Sequence, residues 1–561
     1  MRKSVFLFLF LMSVAGIYTK APACTNFIFT RGSTTDGSVM ITYSADSHTL
    51  FGELYHWPAS DWPAGSMFEV VEWDTGKPLG KIPQVKHTYN VIGNMNEHQV
   101  AIGETTFGGR EELAEQPGAI CDYGALIYVS LMRAKTAREA IRIMGELVAN
   151  YGYASSGESF SVSDANEAWI VELIGKGKVE KGAVWVAMRI PDGYVSGHAN
   201  HPRITQFPMN DPENCLYAPD VITFARKMGW FNGEDKEFSF SDTYAPVDFS
   251  GARACEARVW AMFNRVNSNM GMYQDYAMGH IVNGKYGYAT NRMPLWIKPD
   301  KKISVQDVMN LMRDHYEGTK MDMNNDLGAG PFHCPYRWRP MTWKVDSVGY
   351  VHERATSTQQ TGFVFVAQSR NWLPDPIGGI FWFGLDDTYT MVYSPMYCGM
   401  TRVPEAYRVG NGDLYHFSNT SAFWTFNMVS NWAYTKYDYM IKDIQPVQQE
   451  LEKKYVEETT ALIDKKAMEL YKKDKASGIK YITDYSVKTG QSTVKRWQEL
   501  FQYLFVKYMD GNVKKEKDGK FESNPYGVPV MPSQPGYPKW WLKEIVDDHG
   551  KVILQTGTSA H

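Results

Sequence analysis

The sequence predicts an α+β protein, with a strand-rich layered core reaching to about residue 440 and a helical segment packed against it. Three observations carry this. Strand-like runs bounded by turn residues recur from residue 25 to residue 189. Helical periodicity breaks in only at 134–151 and 304–315. Past Val447 apolar residues fall at helical spacing among Glu and Lys. Strands with helices between them indicate stacked layers around a common core.

Residues 1–23 read as an export signal. Arg2 and Lys3 give a basic start, 5–17 is a largely apolar run short for a membrane span, and Ala21-Pro22-Ala23 is a small-residue cleavage site. Cutting after Ala23 makes Cys24 the first residue of a periplasmic or extracellular protein. Residues 25–30 and 39–43 then form a hairpin around the turn Thr35-Asp36-Gly37-Ser38. Further strand–turn patterns follow at 91–106, with a turn expected at 94–97, and at 159–174 and 184–189. Ser304 and Asp307 form a capping pair for the second helix. From 441 to 561 the chain reads as a helical and extended segment. Leu451, Tyr455, Ile463, Ala467 and Leu470 mark one long amphipathic helix, 514–520 a charged loop, and 525–538 a proline-rich strap leading to Trp540-Trp541.

Lys and Arg number 58 against 62 Asp and Glu, a net charge of −4. Removing the signal, which holds three basic residues and no acidic one, takes this to −7. A nucleic-acid partner calls for a basic surface and is not expected. No later apolar stretch has membrane length, so no stable membrane insertion is expected. The six cysteines contain no CxxC pair, which fits neither a zinc ribbon nor a dense disulfide scaffold. One or two bridges are open to an exported chain, as is a homo-oligomer.

An N-terminal cysteine combines a nucleophile with an α-amine that titrates at about 7.7–8.0. A side chain paired with its own terminal amine is an activated nucleophile, which points to amide hydrolysis. Two other readings compete: a lipid-anchored binding protein attached through Cys24, and an ordinary cysteine near a cleavage site. A lipobox usually has Leu three residues before the Cys, where this chain has Ala21. The strand directly after Cys24 also has no purpose in an anchor.

Cys24-Thr25-Asn26, Asp36-Gly37-Ser38 and Ala45-Asp46-Ser47 resemble the opening of the cysteine dipeptidase family (dipeptidase A and the secernins). Later stretches follow in the family's order: Glu158-Ser159-Phe160, Glu167-Ala168-Trp169, 199–204, Pro294-Leu295-Trp296, 315–319 and the long run 352–387. The resemblance spans about 24–440. It implies a four-layer αββα N-terminal nucleophile hydrolase sandwich that acts on dipeptides and needs no metal or organic cofactor.

By resemblance Cys24 attacks the scissile carbonyl with its own amine as base, Asp46 holds that terminus, Asn200 donates to the oxyanion and Arg258 is an active-site arginine. Related hydrolases commonly carry Arg where this chain has Tyr43, so thiolate stabilisation is expected from Arg258 or the α-ammonium. A second oxyanion donor is expected from the backbone near Thr105. Glu158 and Arg203 are candidate contacts for the dipeptide's two charged ends. The nearest rival is the same fold acting on a non-peptide amide, such as a conjugated bile acid or an acyl-lactam. The Asp322–Asp326 stretch starts like a calcium loop, but Gly328 and His333 stand where an EF-hand needs other residues.

Overall fold

The computed structural model describes residues 24–555. The export signal and its cleavage site therefore lie outside the described residues. In chain order the strands of the two large sheets are β1 (Asn26–Phe29), β2 (Val39–Asp46), β3 (His56–Trp57), β4 (Val91–Ile92), β5 (Met95–Asn96), β6 (Ala101–Phe107), β7 (Gly157–Ser163), β8 (Ala168–Gly175), β9 (Ala183–Arg189), β10 (Val195–His198), β11 (Cys215–Tyr217), β12 (Trp296–Ile297), β13 (Thr361–Ser369), β14 (Ile380–Leu385) and β15 (Ser394–Tyr397). The seven-stranded sheet runs β12-β10-β1-β2-β13-β14-β15, and the eight-stranded sheet runs β11-β9-β8-β7-β6-β5-β4-β3. All the ladders in both are antiparallel.

The sheets face each other through a shared core that includes Phe27, Ile41, Phe365, Ile170 and Val186. Every residue of β13 is buried, which is why Thr-Gly-Phe-Val-Phe-Val-Ala reads as a continuous apolar run rather than an alternating one. On the outer face of the eight-stranded sheet lie α1 (Tyr123–Arg133) and α2 (Ala137–Tyr151), with Leu126, Ile141 and Met144 against Ile102, Phe160 and Val171. On the other sheet lie α3 (Ala257–Val266), α4 (Val305–Leu311), α5 (Ala422–Ala433) and the C-terminal helices.

The expected hairpin forms, with Ile28 opposite Ile41 and Asp36 Oδ1 accepting from the Ser38 amide at 3.0 Å. Ser304 and Asp307 form the expected capping box, but the helix ends at Leu311 rather than His315. The turn expected at 94–97 is displaced. Met95 and Asn96 form a strand, and the chain turns instead at Gly93 (φ 52°) and Gln99 (φ 66°). Helix α1 escaped the sequence reading because ten of its eleven residues are buried, leaving no polar stripe for periodicity to detect.

The long amphipathic helix expected over Leu451–Leu470 forms: α6 (Tyr437–Glu458) runs through a π-helical turn (Thr459–Ile463) into α7 (Asp464–Lys473), and a further helix, α8 (Lys475–Lys507), follows it. Asp474 takes an extended conformation (φ −156°, ψ 119°), and its side chain caps the Ser477 amide, so α7 and α8 fold into a hairpin. Buried pairs Arg313–Glu452 and Arg370–Asp464, each 2.5 Å, tie these helices to the core. Residues 514–520 include an exposed two-stranded hairpin, and 525–538 run without regular structure into α9 (Lys539–His549).

Candidate active site

Cys24 lies at the head of β1. The Thr25 and Ser44 backbones exchange hydrogen bonds (3.3 and 3.0 Å), which sets Cys24 beside the Tyr43–Asp46 end of β2. The Asn26 amide donates to the Glu104 carbonyl at 2.6 Å and ties β1 to β6. Gly103 permits this approach, since a Cβ there would overlap the Asn26 amide oxygen. The Cys24 side chain is 1 % exposed. It opens into a cavity of about 360 Å³ lined by Tyr43, Asp46, Trp73, Asp74, Glu104 and Phe363, among others. A larger hollow of about 820 Å³ around Arg265 and Asp314 contains no cysteine, so the smaller cavity is the candidate site.

Arg258 reaches this point from α3. Its Nη1 donates to the Cys24 carbonyl oxygen and to Thr25 Oγ1 (2.9 Å). Its Nη2 donates to Asn200 Oδ1 (2.9 Å) and the Ala199 carbonyl (3.2 Å). Asn200 sits at φ 58°, a left-handed position that Asn tolerates, and its Nδ2 donates to the Thr106 carbonyl at 2.7 Å. Asp46 is buried and accepts from Arg354 Nη2 (2.7 Å), Thr361 Oγ1 (2.7 Å) and Ser44 Oγ (3.1 Å).

Carboxylates, not cations, surround the sulfur. Cys24 Sγ lies 3.7 Å from both Tyr43 Oη and Glu104 Oε1, and the Tyr43 hydroxyl donates to that same Glu104 oxygen. Arg258 donates to the Cys24 backbone carbonyl, which leaves the α-ammonium as the other expected source of thiolate stabilisation. Burial first, then the charges of Glu104 and Asp46, hold the thiol well above its ordinary range. With residues 1–23 attached, the Cys24 nitrogen is an amide and offers no opposing charge.

Behind Glu104 lies Glu158, placed on the same face of the sheet by the β6–β7 register (Glu104 opposite Phe160, Thr106 opposite Glu158). Thr106 Oγ1 donates to Glu158 Oε1 at 2.8 Å, while neither Glu104 Oε2 nor Glu158 Oε2 receives a hydrogen bond from any other group. Two buried carboxyls on one face of a sheet disfavour each other's charge. Burial raises Glu104 to about 7, and Glu158 is raised well above 4.5 by burial and then by Glu104.

Of the residues singled out in the sequence, Cys24, Tyr43, Asp46, Asn200 and Arg258 come together, and Glu158 joins them through Glu104. Arg203 does not, and Thr105 offers only its backbone, the part expected to serve the oxyanion. Its side chain faces the space between the sheets, where Oγ1 meets His198 Nδ1 at 2.7 Å. Arg203 is buried against Glu256 (2.9 Å) and the carbonyls of Gly197, Pro294 and Leu295, so it is a brace and not a wall of the Cys24 cavity.

The model of peptidase family C69 matches residues 23–450 of this chain. The chain belongs to that family. Curated relatives agree at low identity. "Probable dipeptidase" of Salmonella dublin is 25 % identical over 402 residues, covering 68 % of this chain and 82 % of the relative. "Probable dipeptidase" of Latilactobacillus sakei is 24 % identical over 407 residues (69 % and 76 %). "Probable dipeptidase B" of Streptococcus pyogenes serotype M1 is 22 % identical over 432 residues (73 % and 78 %).

In this C69 peptidase the sequence reading passed over three site residues. Arg354, the ion-pair partner of Asp46, stands 308 positions away in a run that was recognised but given no role. Glu104 adjoins the backbone donor expected near Thr105 and carried no side-chain role, although a phenol in place of the usual Arg was a signal to look for the acceptor it bonds. Asp74, which accepts from Tyr123 Oη at 2.7 Å, belongs to a loop with no motif. The six cysteines are separate thiols, without a disulfide between them. Among the described residues no helix is long and apolar enough to cross a membrane.

Proposed function

We propose that this chain is an exported cysteine dipeptidase of the N-terminal nucleophile type. Removal of residues 1–23 frees the Cys24 α-amine, which takes the thiol proton as sulfur attacks the scissile carbonyl and returns it to the leaving amine. Asp46, fixed by Arg354, holds that terminus. Asn200, fixed by Arg258, donates to the tetrahedral oxygen together with a backbone amide near Thr105. The two facing sheets with helices on both outer faces support the αββα fold implied by the family resemblance, with the segment beyond about 440 as an appendage to it.

One observation carries this reading: the residue following the small-residue cleavage site is a buried cysteine gripped by Arg258, with Asp46 and Asn200 gathered at the same strand ends. The burial also speaks against a lipid anchor, because a thioether-linked lipid needs an open path to the membrane. The cavity volume suits a dipeptide-sized substrate. The names of the relatives favour dipeptides over bile-acid or lactam amides.

The test compares mature protein, its N-terminus verified by sequencing and mass, with protein carrying an uncleavable residue before Cys24. The extended form should fold and fail to hydrolyse dipeptides. Hydrolysis at the mature rate would remove the α-amine from the mechanism.

A further inference from the structure

The cavity beside Cys24 has an unusual charge pattern. Asp46, Glu72, Asp74 and Glu104 all line it, and its described lining contains neither Lys nor Arg. Asp46 is already matched by Arg354 at 2.7 Å. Glu104 stands nearest the sulfur, with Oε1 at 3.7 Å, and is 1 % exposed. Its Oε1 accepts from the Tyr43 hydroxyl and, weakly, from the Cys24 thiol at 3.7 Å, and its Oε2 accepts from no donor. A buried carboxylate supplied with so few donors is costly unless a cation completes it.

The substrate's own geometry says where such a cation falls. In a dipeptide the α-nitrogen is two bonds from the scissile carbon. Once sulfur engages that carbon, the nitrogen lies roughly 3–4 Å from Sγ, from ordinary bond lengths. A group touching the free amine must therefore stand beside the sulfur, as Glu104 Oε1 does. Tyr55 and Trp73 add ring faces to the cavity wall, surfaces that also favour a cation.

We propose that Glu104 is the anchor for the substrate's free α-ammonium, with Glu158 behind it holding the pair to one negative charge. The inference rests on the proposed attack of Cys24 on a small peptide and adds the rule for which peptides enter: those presenting an unblocked amino terminus. An N-acylated peptide, or an internal bond of a longer chain, brings a neutral amide to Glu104 and leaves its charge unmatched. Tyr43 fits this arrangement, since an Arg at that position would pair with Glu104 and cancel the anchor.

The rival assignment makes Glu104 a base for the thiol, which would affect every substrate alike. The experiment measures kcat/KM of processed protein on one dipeptide and on its N-acetyl form, in the wild type and in Glu104→Gln. The wild type should favour the free amine by at least about a hundredfold. Glu104→Gln should shrink that ratio by about ten- to a hundredfold, the range of one charge-assisted hydrogen bond, with the loss mainly in KM for the free-amine substrate. An equal fall on both substrates, with the ratio intact, would overturn the anchor in favour of the base. If Glu104→Gln does not fold, the wild type still decides: comparable kcat/KM on the free and acetylated dipeptides refutes the proposal. A protein that cleaves neither, yet cleaves a bile-acid conjugate or an acyl-lactam, would sink the dipeptidase reading itself, and the anchor with it.

Discussion

Asn200→Ala separates chemistry from structure at this site, and the contacts set both magnitudes. Removing a side-chain donor to a developing oxyanion costs about a hundred- to a thousandfold in kcat, roughly 2.7–4 kcal/mol, because that charge exists only in the transition state. A residue acting only on the oxyanion would leave melting nearly unchanged. The structure revises this, because Asn200 accepts from Arg258 (2.9 Å), donates to Thr106 (2.7 Å) and occupies φ 58°. Losing the bond to a buried charge, orphaning a carbonyl and placing Ala in the left-handed region together cost about 3–5 kcal/mol of stability. Asn200→Gly makes the same chemical deletion without the backbone strain and should retain about 1 kcal/mol more stability than Ala. Steady-state kinetics on a dipeptide, beside urea unfolding of the same preparations, reads both effects. The expected result is equal kcat deficits in Ala and Gly with unequal stabilities. Near-normal kcat in the folded Gly variant would refute the oxyanion role and leave Asn200 as a rest for Arg258.

Two further outcomes follow from the buried ion pairs and carboxyls. Arg354→Met removes one partner of the buried Asp46 pair and should lower stability by about 3–5 kcal/mol, with part recovered in Arg354→Met/Asp46→Asn; additive losses in chemical denaturation would show the pair uncoupled. Glu104 and Glu158 hold protons in the folded state that the unfolded chain releases above the ordinary 4.5, so their contribution is full below that value and is lost as pH rises through their raised folded values, about 7 for Glu104. Glu158→Gln should therefore flatten the fall in stability above about pH 5 relative to wild type, and parallel stability curves would show that Glu158 is not a raised carboxyl.

Legibility tracked sequence distance. The hairpin that presents Cys24 was readable because its strands, its turn and its capping Asp36 lie within about twenty residues. The 304 cap was equally local. The partnerships that build the site are not: Arg354 meets Asp46, Arg258 meets Cys24 and Glu104 meets Glu158 only after the sheets have formed. Only the family resemblance placed Asp46, Asn200 and Arg258 in advance. Where chain proximity stood in for geometry it misled. Arg203 lies three residues from Asn200 yet points to Glu256. Buried, largely apolar helices such as α1 leave no periodic trace, and the helix reversal at Asp474 lies just past Leu470, the last residue of the amphipathic pattern.

The charges around the sulfur give the proposed processing step a physical role. Before cleavage the nearest ionisable groups to Sγ are carboxyls, while the two nearby guanidiniums are committed, Arg258 to the Cys24 carbonyl and Arg354 to Asp46. Such a site suppresses the thiolate. Cleavage places an ammonium on the same residue, roughly 3 Å from the sulfur, an attraction of about 5 kcal/mol at an effective dielectric of about 20. That single charge supplies what the usual arginine would have brought at position 43. A free-amine substrate then brings a second ammonium into the same space. Two cations so close need anions beside them, and in the proposed arrangement Asp46, shared with Arg354, faces the terminus of the enzyme while Glu104 takes that of the substrate. An arginine at position 43 would have activated the thiol but left the substrate's amine without a partner. The tyrosine resolves that conflict, because it donates to Glu104 without neutralising it.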